Sequence, residues 1–174
     1  MSDFSIRPIA PGDIHAITRI YDHAVRHGTA SFELDPPDEA EMTRRQRALA
    51  DGGYPYLVAE FAGSVVGYAY AGPYRARPAY RFSVENSIYL AADVHRRGIG
   101  RALLERLIAE SEARNYRLMI AVIGDSAQTP SIALHRAAGF TLVGTFEGVG
   151  YKFGRWLDTV LMQRPLGKGT SAPP

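Results

Sequence analysis

Apolar residues recur along this chain in two rhythms, one of period two and one of period 3.6, and the switches between them divide it into elements. FSIRPI (4–9) alternates as a short strand does, and Pro11-Gly12 ends it. Asp13 is placed to cap a helix whose apolar face is Ile14, Ile17, Tyr21, Ala24 and Val25, with Gly28 as its stop. Pro36-Pro37 precedes Asp38, and Glu41 follows three residues later; this capping-box spacing predicts a second helix to about Ala50, before Gly52-Gly53. YLVAEF (56–61) and SVVGYAYAG (64–72) are β-branched and aromatic runs joined across Ala62-Gly63, the pattern of an antiparallel hairpin. VENSIYLA (84–91) is a further strand.

Ile99, Leu103, Leu104, Leu107 and Ile108 form one apolar stripe, which predicts a helix over 98–114 that ends near Asn115. LMIAVIG (118–124) is expected as a fully buried strand, SIALHRAA (131–138) as a short helix stopped by Gly139, and FTLVGTF (140–146) and RWLDTVLMQR (155–164) as two last strands. The tail GKGTSAPP has no means of packing and is expected to be disordered, which leaves a single domain over residues 1–166. The order is one strand, two helices, three strands, a helix, a strand, a helix and two strands. That order describes an α/β protein with a mixed sheet and helices on both faces.

Composition narrows the chemistry. With no cysteine among 174 residues, disulfides, thiolate metal sites and a cysteine nucleophile are excluded. MSDFSIRPIA has an acid at position 3 and no apolar core of signal-peptide length, and no stretch approaches the roughly 20 apolar residues of a membrane helix. A cytoplasmic protein with no membrane partner is expected. A net charge of +2 with a pI near 9.0 is too mild to argue for nucleic acid, and Arg44-Arg45-Gln46-Arg47 suits the wet face of a helix. His23 and His27 share a helix face, but with no evident third ligand no metal is expected.

HRRGIGRA (95–102) lies between a strand and the clearest helix. Such a turn presents unpaired backbone N–H groups at the positive end of the helix dipole, where phosphate oxygens bind. Gly98 and Gly100 let the backbone come close, and Arg96, Arg97 and Arg101 add positive charge. The same glycines would equally make a plain tight turn with solvated arginines. A Walker loop is excluded because Arg101-Ala102 follows Gly100, and a dinucleotide fingerprint lacks its third glycine and its repeated parallel units.

IYLAADVHRRGIGRALLERLI (88–108), followed by ALHRAAGF (133–140), resembles the acetyl-CoA core of the GNAT N-acetyltransferases, and the likeness runs over residues 5–165. More narrowly, TASFE (29–33), YRARPAYRFSVENSIYL (74–90), AVIGDS (121–126) and GYKFGRWLD (150–158) are similar to the subgroup that acetylates phosphinothricin and methionine sulfoximine. The resemblance implies the GNAT fold, a mostly antiparallel mixed sheet flanked by helices, with acetyl-CoA as cosubstrate and transfer to the α-amine of a small amino-acid analogue. It places the pyrophosphate on Arg96, Arg97, Gly98, Ile99, Gly100 and Arg101, and the pantetheine arm along Ile88, Tyr89 and Leu90, with an N–H near Leu90 supporting the oxyanion. Gln128 and Ser131 join the cofactor contacts. Three positions depart from the general pattern: His95 replaces Gln or Arg, Gln128 replaces an Asn, and His135 replaces a tyrosine acid, although the subgroup also tends to carry histidine there.

Acyl transfer to an ammonium needs a base, and the resemblance assigns it to Glu85, directly or through water, where apolar surroundings would raise its pKa; by position alone Glu85 also suits a strand-end surface acid. His135 protonates the departing thiolate or only hydrogen-bonds the cofactor. Arg75 and Arg77 are either substrate clamps for a carboxylate and a phosphinate or sulfoximine oxygen, or ordinary loop charges. Phe32 and Glu33 would wall the pocket, Phe32 being equally suited to the core. Lys152 and Trp156 fall where the resemblance implies a homodimer interface. Two other readings keep the cofactor: another acceptor, such as a protein N-terminus or a polyamine, or a non-catalytic acyl-CoA sensor. Arg75 and Arg77 argue against cationic acceptors, and Glu85 against a sensor.

Overall fold

The alternating runs on either side of Ala62-Gly63 pair as an antiparallel hairpin in the computed structural model, which describes residues 4–94 and 97–174. Ala62 (φ 48°) and Gly63 (φ 77°) both take the left-handed conformation that a two-residue hairpin turn needs. The hairpin strands are β2 (Tyr56–Phe61) and β3 (Ser64–Pro73) of a seven-stranded sheet that also holds β1 (Phe4–Pro8), β4 (Ser83–Leu90), β5 (Leu118–Gly124), β6 (Thr141–Lys152) and β7 (Arg155–Pro165). The helices are α1 (Ile14–His27), α2 (Glu39–Asp51), α3 (Ile99–Ala113) and α4 (Thr129–Ala137), in the predicted order. Across the sheet the strands run β1-β2-β3-β4-β5-β7-β6, and every neighbouring pair is antiparallel except β4 with β5.

Each sheet face has its own core. Leu103, Leu104 and Leu107 of α3 pack on Leu57, Ala69, Val84 and Met119, while Ile17 and Val25 of α1 and Met42 of α2 pack on Val58 and Tyr68. Strand alternation therefore divides β4 between the faces: Val84, Asn86, Ile88 and Leu90 point toward α3 and α4, and Glu85, Ser87 and Tyr89 toward α1 and α2.

Four local expectations are corrected or extended. The Asp13 carboxylate accepts no cap bond from α1; a 3₁₀ turn over Pro11–Asp13 comes first, and the Asp13 carboxylate instead accepts from Arg7 and from the Ala10 N–H. β5 is not buried throughout, since Val122 is exposed where the sheet opens. β6 continues past 146 to Lys152, because register shifts at Leu142/Gly144 and Phe146/Gly150 absorb the glycines that suggested a break. Residues 167–174 carry no helix or strand; Leu166 is fully buried ahead of them, and Arg117 donates to the Pro173 carbonyl.

Candidate active site

The parallel pairing of β4 with β5 runs only from Ser83↔Leu118 to Asn86↔Ala121, although β4 continues to Leu90 and β5 to Gly124. Past that register the strands part, and a cavity of about 390 Å³ opens between them, lined by Ile88, Tyr89 and Leu90 on one side and Val122, Ile123 and Gly124 on the other. α4 contributes Ser131 and His135 to it, and α1 contributes His23 and His27. The edges facing the cavity lack strand partners, so their backbone groups are open to a ligand. A Cβ at Gly124 would collide with the Thr29 carbonyl and lie 2.8 Å from the Phe32 ring, so only glycine lets the loop after α1 close over β5.

The glycine turn stands at the Leu90 end of this cavity. Gly98 adopts φ +78° as the N-cap of α3, and no side chain caps the helix, so the first N–H groups point outward unpaired. Gly100 lines the cavity, and a Cβ there would press to 3.4 Å from Leu90. The side chain of Ile99 is in the core, which leaves only its backbone to a ligand. Arg101 is paired with Glu105 at 2.7 Å, and Arg97 lies over the Phe61 ring. His95 and Arg96 lie outside the described residues.

Glu85 sits one register step before the strands part, opposite Gly72 of β3 and Ile120 of β5. It is half-buried, and burial alone raises its pKa; no donor or cation among the described residues lowers it again. Its surroundings are aromatic. Tyr70 lies close by and is likewise pushed up by burial. The loop that follows β3 carries Arg75 and Arg77, both exposed, with the Arg75 guanidinium 5.2 Å from the Tyr74 ring and 5.9 Å from the Tyr80 ring.

The segment after α1 is firmly held. Phe32 packs its ring between Gly124 and Gly150 at 37% exposure and is in neither core. Glu33 Oε1 accepts from the Tyr21 hydroxyl at 3.0 Å and from Arg45 at 2.6 Å, which ties α1 to α2. Lys152 is buried (3% exposed) and donates to the Ser31 carbonyl at 2.7 Å, and burial lowers its pKa. Of the two residues expected on a dimer face, only Trp156 is at the surface.

On the other sheet face His135 is 4% exposed with both ring nitrogens engaged, Nδ1 at 2.8 Å from the Ser131 carbonyl and Nε2 at 3.0 Å from Asn86 Oδ1. Burial lowers its pKa. Gln128 lines the cavity, but its amide donates to Thr29 Oγ1 at 3.0 Å, joining the start of α4 to the loop after α1. The structure thus gathers Ile88, Tyr89, Leu90, Gly100, Gln128, Ser131 and His135 around one cavity, and places Glu85, Arg75 and Arg77 at the other end of β4. Asn86 and Gly124 were not singled out, and His23 and His27 were weighed only as metal ligands; the signal for Asn86 was a polar residue at an inward position between Val84 and Ile88. Among the described residues no three side chains are grouped as metal ligands, and no helix is long and apolar enough to cross a membrane.

A strand pair that forks beside a glycine-capped helix offers open backbone groups to an extended ligand with phosphates, and comparison with known proteins identifies the class. The acetyltransferase (GNAT) domain model matches residues 6–161. The chain is 52% identical over 170 residues to the phosphinothricin N-acetyltransferase of Alcaligenes faecalis, covering 98% of this chain and 86% of that one. It is 41% identical to the L-methionine sulfoximine/L-methionine sulfone acetyltransferase of Pseudomonas paraeruginosa, over 97% and 98% of the two chains. The crystal structure of a GNAT superfamily phosphinothricin acetyltransferase from Sinorhizobium meliloti in complex with acetyl-CoA superposes with a TM-score of 0.96 at 49% identity, covering 99% of this chain and 93% of that one. The chain belongs to the GNAT acetyltransferase family, whose acyl donor is acetyl-CoA.

Proposed function

We propose that this chain transfers an acetyl group from acetyl-CoA to the α-amine of a small acidic amino-acid analogue of the phosphinothricin or methionine sulfoximine type, with Glu85 as base. The observation that carries the reading is the half-buried Glu85 carboxylate, without a counter-charge among the described residues, one register step from the strand fork. The residues present suit the donor. Outward N–H groups at Gly98–Gly100 and Arg97 meet its pyrophosphate, and the open edges of β4 at Ile88–Leu90 and of β5 run along the arm, with Gln128 and Ser131 beside them. Acetyl-CoA supplies the activated thioester. Glu85 accepts the proton that the α-ammonium must lose before its nitrogen can attack, and its raised pKa suits that task near neutral pH. Arg75 and Arg77 hold the acceptor's anionic groups, with Phe32 walling the pocket; Glu33 serves the site by fixing the loop that carries Phe32. A single domain over residues 1–166 does this work as a homodimer, paired through the exposed apolar face of β6 and β7.

Release of CoA thiol is the test, with phosphinothricin, methionine sulfoximine, methionine sulfone, an alanine-terminated peptide and spermidine as acceptors. Acceptor-dependent release is expected with the first three and not with spermidine. Release with none of the five would overturn the enzyme reading, and release with the peptide alone would move the acceptor to protein N-termini.

A further inference from the structure

Asn86 is the last residue at which β4 is paired with β5, and it is a buried amide (6% exposed) on an otherwise apolar side of the strand. Its two ends reach two different elements. Oδ1 lies 3.0 Å from His135 Nε2 on α4, and Nδ2 is directed at the Ile120 carbonyl of β5 at 3.4 Å. His135 is fixed in turn by Ser131, one helical turn back, and by the Phe140 ring, which meets it edge-on at 5.0 Å. One amide therefore links three of the elements that line the cavity, at the last paired position of the fork.

We infer that Asn86 is a positioning residue: with His135 it pins the apex of the β4/β5 fork and sets how far the acetyl end of acetyl-CoA enters. The inference rests on the proposed function for the identity of the ligand. The geometry of the strand gives it direction. Gly100 lies against Leu90, four residues from Asn86, and at roughly 3.3 Å per residue the glycine turn and the pin stand about 13 Å apart along β4. The turn thus meets the phosphate end of the ligand, and the pin the acyl end.

Proton accounting sharpens the role of the pair. The Ser131 carbonyl only accepts, so His135 Nδ1 carries a hydrogen. With a neutral ring, Nε2 is an acceptor and must face the Asn86 NH₂; with an imidazolium it donates to Oδ1. Only the second arrangement also leaves an N–H for the Ile120 carbonyl. In either state Nε2 is already bonded to Asn86, so His135 acts through the amide that it orients rather than by handing a proton to the thiolate.

Calorimetric titration with acetyl-CoA and with CoA tests this on the wild type, Asn86→Ala, His135→Ala and the double variant. Each single substitution is expected to weaken acetyl-CoA about tenfold, the worth of one buried hydrogen bond, and to leave CoA within about twofold. The double variant is expected to be no weaker than the worse single one, because both remove the same pin. Equal loss for the two ligands, unchanged acetyl-CoA binding, or additive effects would overturn the inference. Should Asn86→Ala not fold, Asn86→Leu, of similar shape and without either hydrogen bond, carries the same expectation. Binding is read without an acceptor, so a protein that binds as expected but acetylates nothing would defeat the proposed function and leave the pin standing. Active variants with unaltered ligand preference would do the reverse.

Discussion

Glu85 and His135 stand on opposite faces of the sheet, Glu85 beside Tyr70 under α1 and α2, and His135 bonded to Asn86 under α3 and α4. Among the described residues the two side chains share no hydrogen bond, and the proposed base lies on the face away from the Asn86–His135 pair. The fork between β4 and β5 is the opening through which the two faces communicate.

Glu85→Gln is expected to lower kcat by about 10²–10⁴-fold while acetyl-CoA binding stays unchanged, because the proposed base would move a proton without holding the donor. In the wild type, kcat/KM should fall on the acid side at a pH above the ordinary glutamate range, following the raised pKa, and that limb should vanish in the variant. Stability moves the other way. Between the unfolded and the raised folded pKa the native state binds more protons, so wild-type stability declines as pH rises through that window. Glu85→Gln should therefore unfold at a higher temperature than the wild type at pH 7, with the difference closing below the unfolded pKa.

Arg75→Gln and Arg77→Gln separate substrate clamps from ordinary loop charges. Each is expected to raise KM for phosphinothricin about tenfold, the loss of one charge-assisted contact, with little change in acetyl-CoA affinity. Arg75 is stacked on Tyr74 and Tyr80, which holds its guanidinium in place without neutralising it. Unchanged KM in both variants would return the pair to the solvent.

The strength of the periodic signal decided which elements were legible. The α3 stripe, the β2–β3 hairpin and the order of all eleven elements followed from period and turn chemistry, because helices bury one stripe against a core and the strands are bounded by turn residues. The fork was not legible as a pattern: nothing in the alternation of 84–91 or 118–124 marks where two parallel strands stop pairing. Val122 shows the consequence, apolar by sequence yet exposed to the cavity. Lys152 fails in the opposite sense, a lysine read for the surface that is buried beneath the Ser31 carbonyl. Glycines misled in β6, where bulges accommodate what reads as a terminus. Contacts of high sequence separation, such as Gln128 with Thr29 and His135 with Asn86, have no local signature at all.

Gly124→Ala tests how tightly the loop after α1 is seated. The added methyl would collide with the Thr29 carbonyl and come to 2.8 Å from Phe32, so the loop must move. Overpacking of this kind costs about 1–3 kcal/mol. A lower melting temperature is expected together with a raised KM for the amino-acid acceptor, because Phe32 moves with the loop. A lower melting temperature with unaltered KM would remove Phe32 from the acceptor pocket.

Phe146, Val149, Tyr151 and Trp156 leave a broad apolar surface on β6 and β7, with Trp156 68% exposed. Light scattering after gel filtration should give the mass of two chains for the wild type and of one for Phe146→Glu combined with Trp156→Glu. A monomeric wild type would show that this face serves some other use.

The buried Asp13 carboxylate connects β1 to the start of α1. Its oxygens accept from Arg7 Nη1 at 2.7 Å and Nη2 at 2.9 Å, and from the Ala10 N–H at 2.7 Å. The Arg7 hydrogen bonds, ahead of the Ala10 contact, hold its pKa below the ordinary aspartate value. A depressed folded pKa means that the unfolded chain takes up a proton first as pH falls, so this contribution is complete above the unfolded pKa and is lost as pH drops through the folded one. Asp13→Asn should destabilise by about 1–3 kcal/mol at pH 7, leaving Arg7 with Glu60 alone. Chemical denaturation at descending pH should show the wild type and the variant converging below the folded pKa. Curves that stay parallel would mean that the pair contributes through packing and not through charge.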